Sequence, residues 1–263
     1  ISNASRPITA KEMEDCKAAG VQYVEMPVAF DALTVVINPK NTFLKQITVP
    51  ELKAMWEPAA QGQITKWNQV NPAWPDAPIK LFGAGADSGT FEYFTEATVG
   101  KAKSSRGDYT ASEDDNVLVQ GVSRDVNAIG YFGYAYYAEN MARLKALPIV
   151  NPKTSQAVAP AEKTVIDGTY QPLSRPIFVY VKVKALQKPE VKEFVDFYMK
   201  NAEKLVREVK YVPLPKAAMK ASTLRWRSSF SACSRTWASC NSSASMALRR
   251  RFSMARAGSR RFQ

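Results

Sequence analysis

Two apolar runs, far apart in the chain, decide the architecture. Residues 33–38 (LTVVIN) and 177–183 (IFVYVKV) are rich in β-branched and aromatic side chains. The first is continuously apolar rather than alternating, which marks a strand buried on both faces. Two such strands suit a chain that crosses from one lobe to another and later returns. The expected layout is lobe I from residues 1–35 and 176–220, lobe II from 36–175, and two hinge crossings between them.

Around these runs strand and helix signals alternate, which predicts an α/β fold with largely parallel pairing. Residues 8–20 carry Thr9 as an N-cap, Glu12 as its capping-box partner and Gly20 at the C-terminal end. Strands are expected over 21–28, 79–82 and 128–132, the last running into the aromatic stretch YFGYAYY. Helices are expected over 48–57, with Pro50 in the first turn, and over 88–97 and 116–122. Residues 189–209 read as a helix of nearly six turns with Phe194, Phe197 and Tyr198 on one face. There is no internal repeat and no Gly/Ser linker, and no apolar run approaches the ~18 residues of a spanning helix.

The 263 residues include no histidine. Imidazole bases, Ser-His-Asp and Cys-His nucleophile sites and histidine-ligated metals are excluded. Of three cysteines only Cys16 lies in the body, so no disulfide framework and no thiolate cluster is expected. The sequence calls for no cofactor and no metal.

A formal charge of +12 invites a nucleic-acid reading until it is located. Residues 221–263 hold nine Arg, eleven Ser, no Lys and no acid, and setting them aside leaves 27 bases against 24 acids. The basicity belongs to this tail, and nucleic acid is not an expected partner. The tail has no sustained period and no capping grammar. A basic arm and a disordered extension are both open to it. Translation out of frame after about residue 220 best matches the abrupt change in usage, so the tail is left out of the fold.

Chemistry concentrates in 79–94, IKLFGAGADSGTFEYF. A strand leads through Gly83 and Gly85, which permit unusual backbone angles and close approach of the main chain. Asp87 and Ser88 follow, then a helix whose first amides, at Gly89 and Thr90, have no intrahelical acceptor. Those donors, two hydroxyls and the helix dipole suit an anion. An ordinary helix cap by Asp87 or Ser88 fits the same residues. The segment is not a phosphate-binding loop of the GxxxxGK[ST] type, since the lysine is absent. Upstream, ISNASRPI places Ser5 and Arg6 in a strand-to-helix loop. There the guanidinium fork either grips an oxyanion or is a plain surface group.

In this order ISNASRPI, PVAFDALTVVINPKN, GAGADSGTFEYF and NAIGYFGYAYY resemble the periplasmic phosphate-binding proteins of ABC uptake systems, along most of residues 1–220. The resemblance implies a two-lobed type II periplasmic-binding-protein fold. It implies a monomeric, hinge-closing receptor outside the cytoplasmic membrane, not an enzyme, that hands inorganic phosphate to a permease. It further implies that Ser88, Gly89 and Thr90 hydrogen-bond phosphate and that Ser5 and Arg6 face them. Some members have an acid where Arg6 stands and an arginine ahead of the SGT loop; Ala84 and its neighbours supply none, so Arg6 must provide the guanidinium. Members also carry a further leading stretch, so truncation at the N-terminus, with loss of a signal peptide and an incomplete first lobe, is expected.

Phosphate at neutral pH carries protons and sulfate does not, so a carboxylate facing the ligand discriminates between them. Asp87 is the nearest acceptor by sequence and Asp31 the second, though each also suits a cap or a turn. Asp114, Asp115 and Asn116 form another junction able to reach the cleft. Two rivals stand beside this reading. One is a receptor for sulfate or molybdate. The other is a Ser88-dependent phosphate-ester hydrolase, which lacks both an imidazole and a Ser-x-x-Lys lysine, Phe91 standing there instead.

Overall fold

The computed structural model describes residues 1–209 and 211–232. Its elements are β1 (Ser2–Ala4), α1 (Ala10–Ala18), β2 (Tyr23–Ile37), β3 (Ile47–Thr48), α2 (Val49–Trp56), α3 (Trp67–Val70), β4 (Lys80–Ala84) and α4 (Gly89–Thr98). There follow β5 (Thr110–Ser112), α5 (Asp115–Arg124), β6 (Ala128–Gly133), α6 (Tyr134–Glu139), β7 (Lys145–Ala146), β8 (Ile149–Val150) and β9 (Ala157–Val158). The chain ends its described part with α7 (Glu162–Ile166), β10 (Ser174–Lys182), α8 (Pro189–Glu208), β11 (Val212–Pro213) and α9 (Lys216–Ala232).

The two strands expected over 21–28 and 33–38 are one strand, β2. It is buried without interruption from Met26 to Ile37, which is why its sequence does not alternate. Residues 23–32 pair with β10 and residues 33–37 pair with β6, so the strand changes partners between Ala32 and Leu33. Pro27 has no N–H to give the ladder. The register slips there: Ile177 faces Ala29 and Phe178 faces Pro27, leaving Val28 as the extra residue of a bulge.

The main sheet runs β1-β10-β2-β6-β4-β5, with β7 and β11 also pairing with β2, and β3-β8-β9 form a small second sheet. The expectation of largely parallel pairing is overturned. Each of β10, β6, β7 and β11 is antiparallel to β2, and β1 is antiparallel to β10. Parallel pairing is confined to β4 with β5 and β6, and to β3 with β8. A chain that goes out on β2 and returns on its neighbour β10 must run in opposite senses at that waist.

The core divides along the same line. One cluster gathers Leu33, Trp56, Trp67, Phe94, Tyr131 and Tyr170, with Phe94 stacked on Tyr131 at 3.6 Å between centroids. A second joins Val24, Met26, Val179 and Val181 to Val195, Met199 and Trp226. A third seals β6 under α5 through Val36, Val119, Val122 and Phe132.

Two sequence expectations change here. In α8 the buried stripe is Val195, Met199, Ala202 and Val206, whereas Phe194 and Phe197 are exposed. The aliphatic residues at helical spacing face the core, and of the aromatic set only Tyr198 packs against it. The boundary at residue 220 falls inside α9. Trp226 is only 1% exposed, donates its indole N–H to Asp196 at 2.6 Å, and Ser222 donates to the Pro27 carbonyl at 2.9 Å. Residues 221–232 therefore belong to a packed helix; the rest of the tail, with Cys233 and Cys240, lies outside the described residues. Among the described residues no helix is long and apolar enough to cross a membrane, and no His/Cys/Asp/Glu group could hold a metal ion.

Candidate functional site

The loop after β4 is built by packing. Ser88 is the N-cap of α4, and its Oγ accepts from the Thr90 amide at 3.1 Å. Its own N–H donates to the Gly85 carbonyl at 3.1 Å. Neither Gly83 nor Gly85 has a left-handed φ; among the described residues the positive-φ glycines are 20, 62, 100 and 168. The unusual backbone angles read from the sequence are thus absent, and it is the close approach that needs glycine. A Cβ on Gly83 would lie 2.6 Å from the Tyr131 ring, and one on Gly85 2.0 Å from Glu113 Oε1. Tyr109 holds the end of β4 by donating to the Ala84 carbonyl at 2.9 Å.

Beyond this loop the amides of Gly89 and Phe91 open α4 without intrahelical acceptors, while that of Thr90 is taken by the Ser88 cap. The two amides before Gly89 are engaged as well, Ser88 N–H with the Gly85 carbonyl and Asp87 N–H with Glu113 Oε1 at 3.3 Å. The Asp87 side chain is exposed. Asp114 caps α5 by accepting from the Asn116 amide, and Asp115 is pushed up to about 6, by burial first and then by Asp114 and Glu113.

Arg6 holds a carboxylate of its own chain. Its two terminal nitrogens donate to Glu12 at 2.8 and 2.7 Å, the fork geometry expected for an oxyanion but filled from within. Glu12 also closes the capping box with Thr9. Arg6, then Thr9, hold the Glu12 carboxyl well below the usual carboxylate range. Ser5 and Arg6 line a cavity of about 620 Å³ together with Glu12, Cys16 and Tyr180. Glu96, on α4, lies near enough to favour the charged form of Arg6, after Glu12.

Asp31 is buried and paired: Arg175 Nε donates to its Oδ2 at 3.1 Å. Burial raises its pKa, and Arg175 opposes the rise. The Arg175 guanidinium carbon lies 3.9 Å from the centre of the Tyr93 ring. Tyr93 stands one turn into α4 and donates to the Pro172 carbonyl at 2.7 Å. So 88–90 sit on the helix that Tyr93 fastens to the ion pair at the waist. Sequence reasoning missed Arg175 and Glu113. Arg175 stands two residues ahead of the strand read at 177, and Glu113 stands in an acidic junction (SEDDNV) where nothing local separates one acid from the next.

A family model described as a PBP superfamily domain matches residues 1–202. Protein SphX of Synechocystis sp. is 54% identical over 219 residues, covering 83% of this chain and 65% of that protein. Phosphate-binding protein PstS of Staphylococcus haemolyticus is 36% identical over 222 residues, covering 83% and 67%. The chain thus spans about two thirds of the length of these curated relatives. A crystal structure of a possible phosphate binding protein from Planctomyces limnophilus superposes with a TM-score of 0.82 at 49% identity, covering 86% of this chain and 80% of that one.

Proposed function

The chain belongs to the PBP superfamily, and from that premise we propose that it is an extracytoplasmic receptor that captures inorganic phosphate between its lobes and delivers it to an ABC permease. The observation that carries this reading is the opening turn of α4. The Ser88 and Thr90 hydroxyls and the Gly89 amide form a donor set on a helix tied through Tyr93 to the Arg175–Asp31 pair, beside the strand that changes partners. The partner change in β2 also supports the two-lobed division with hinge crossings near Ala32–Leu33 and ahead of Ser174.

Ser5 and Arg6 approach phosphate from lobe I, Arg6 exchanging Glu12 for ligand oxygens or sharing its fork between them. The Gly89 amide and the Ser88 and Thr90 hydroxyls serve the other side, with Asp87 completing the loop. Donors of this kind stabilise an oxyanion with little fixed charge, and its own desolvation is offset by hydrogen bonds. Micromolar affinity requires about −8 kcal/mol. Several charge-assisted bonds at ~1.5–3 kcal/mol each supply it before the closure cost. The chemistry ends at binding, because Ser88 has no imidazole partner and Phe91 stands where a lysine base would be needed.

Calorimetric titration with phosphate, sulfate and molybdate tests this. Phosphate is expected to bind best, and Ser88→Ala to weaken it at least tenfold. No heat with millimolar phosphate would end the proposal, and preference for sulfate or molybdate would move the receptor to that oxyanion.

A further inference from the structure

We propose that Arg175 supplies the fixed positive charge of the anion site, offering the two terminal nitrogens of its guanidinium to an oxyanion held at the start of α4. The inference rests on the phosphate reading above and names the charged group within it.

Three arginines compete for this role, and their partners separate them. Arg6 has both terminal nitrogens on Glu12 and reaches an oxyanion only by giving that carboxylate up or sharing its fork. Arg106 is buried with every nitrogen engaged, by Asp108 and by the Met55 and Ile64 carbonyls. Arg175 commits only Nε, to Asp31 at 3.1 Å. Neither of its terminal nitrogens donates to any group among the described residues, although its side chain is only 20% exposed. A guanidinium so far withdrawn from water, with its fork unfilled, holds donors that two oxygens of one anion satisfy together.

The guanidinium also rests on the helix that carries the donors. Its carbon lies 3.9 Å from the centre of the Tyr93 ring. Gly89 stands four residues before Tyr93, on the same face of α4 and roughly 6 Å nearer the N-terminus along the axis. Side chains on a helix lean toward its N-terminus, so the Tyr93 ring carries Arg175 toward the Gly89 amide. Space is open there: a Cβ on Gly89 would meet nothing within 4 Å. Asp31 fixes the Nε end of the guanidinium, so the free end is oriented before any ligand arrives. The same carboxylate balances the buried charge while no anion is bound.

The test is calorimetric titration of the full chain with sodium phosphate at pH 7.5, for wild type, Arg175→Gln, Arg175→Lys, Arg6→Gln and Asp31→Asn, each checked for folding by thermal melt. Arg175→Gln should weaken phosphate at least tenfold, and by more than Arg6→Gln does. Arg175→Lys should also weaken it at least tenfold while melting nearer to wild type, because an ammonium can pair with Asp31 yet cannot present a fork as well. It carries the test should Arg175→Gln not fold. Asp31→Asn should bind phosphate within threefold of wild type or more tightly, since it takes a negative charge from beside the anion and leaves the guanidinium in place. A merely structural pair would behave otherwise, with affinity following stability whichever partner is lost. A loss below tenfold in a folded Arg175 variant, a larger loss in Arg6→Gln, or a loss above threefold in Asp31→Asn would each overturn the Arg175 role and leave the receptor reading standing. A wild type that binds no phosphate would remove that reading and this inference with it.

Discussion

Arg175 and Asp31 are directly opposed on β10 and β2, Nε 3.1 Å from Oδ2, and the same guanidinium lies 3.9 Å from the centre of the Tyr93 ring. One side chain thus joins the outgoing strand, the returning strand and the helix that carries the donor loop. Its position two residues into β10 places it where β2 exchanges β10 for β6. A guanidinium can do this because its edge pairs with a carboxylate while its face stacks on an aromatic ring.

Arg175→Met leaves Asp31 buried without its partner and should cost about 3 kcal/mol at neutral pH. Burial already raises the Asp31 pKa, so the folded state holds this proton more tightly than the unfolded chain and gains relative stability as pH falls. Losing Arg175 removes the opposing influence and widens the difference. The penalty in urea unfolding should therefore be smaller at pH 4.5 than at pH 7.5. An equal penalty at both pH values would show that Asp31 is not the group left uncompensated.

Glu12 behaves in the opposite sense. Arg6 and Thr9 depress its pKa, so its contribution is complete above the unfolded value near 4.5 and is lost as pH falls through the lower folded value. Acid unfolding of Glu12→Gln should show a flatter stability profile below pH 4.5 than wild type. Coincident profiles would mean that the Arg6 fork is not engaged in solution.

Two glycines two residues apart should respond unequally to alanine. At Gly83 the new Cβ meets the Tyr131 ring, which is fully buried and stacked on Phe94, so overpacking should cost about 2 kcal/mol. At Gly85 it meets the end of the exposed Glu113 side chain, which can swing aside. Stability there should change by less than about 1 kcal/mol. Chemical denaturation of both variants decides, and a larger loss at Gly85 would contradict the packing described.

Trp226 fills the core between α8 and β2. Trp226→Ala should destabilise by about 3–5 kcal/mol. A chain ended after residue 220 should melt well below the full-length protein. Equal melting temperatures for the two would place α9 outside the cooperative unit.

The capping boxes at Thr9–Glu12 and Thr48–Glu51, the helix N-capped by Ser88 and the buried run through Leu33 and Ile37 were all legible from neighbouring residues. Each rests on interactions spanning a few positions, where side-chain period and cap chemistry act directly. The fusion of two expected strands into β2 was less so, because Pro27 reads as a break until the bulge at Val28 shows how the ladder passes it.

Local order alone determined which residues end helices, which strand is buried on both faces and which loop leads into a serine-capped helix. The tertiary structure decided the partners: Glu12 for Arg6, Glu113 for Gly85 and Asp87, Arg175 for Asp31, and Trp226 for Asp196. Charge pairing acts through space at about 3 Å, and the charged residues that pair at that distance here can lie as much as 144 positions apart along the chain. No period or spacing in a sequence encodes such a meeting; only the path of β2 and β10 through the waist brings it about.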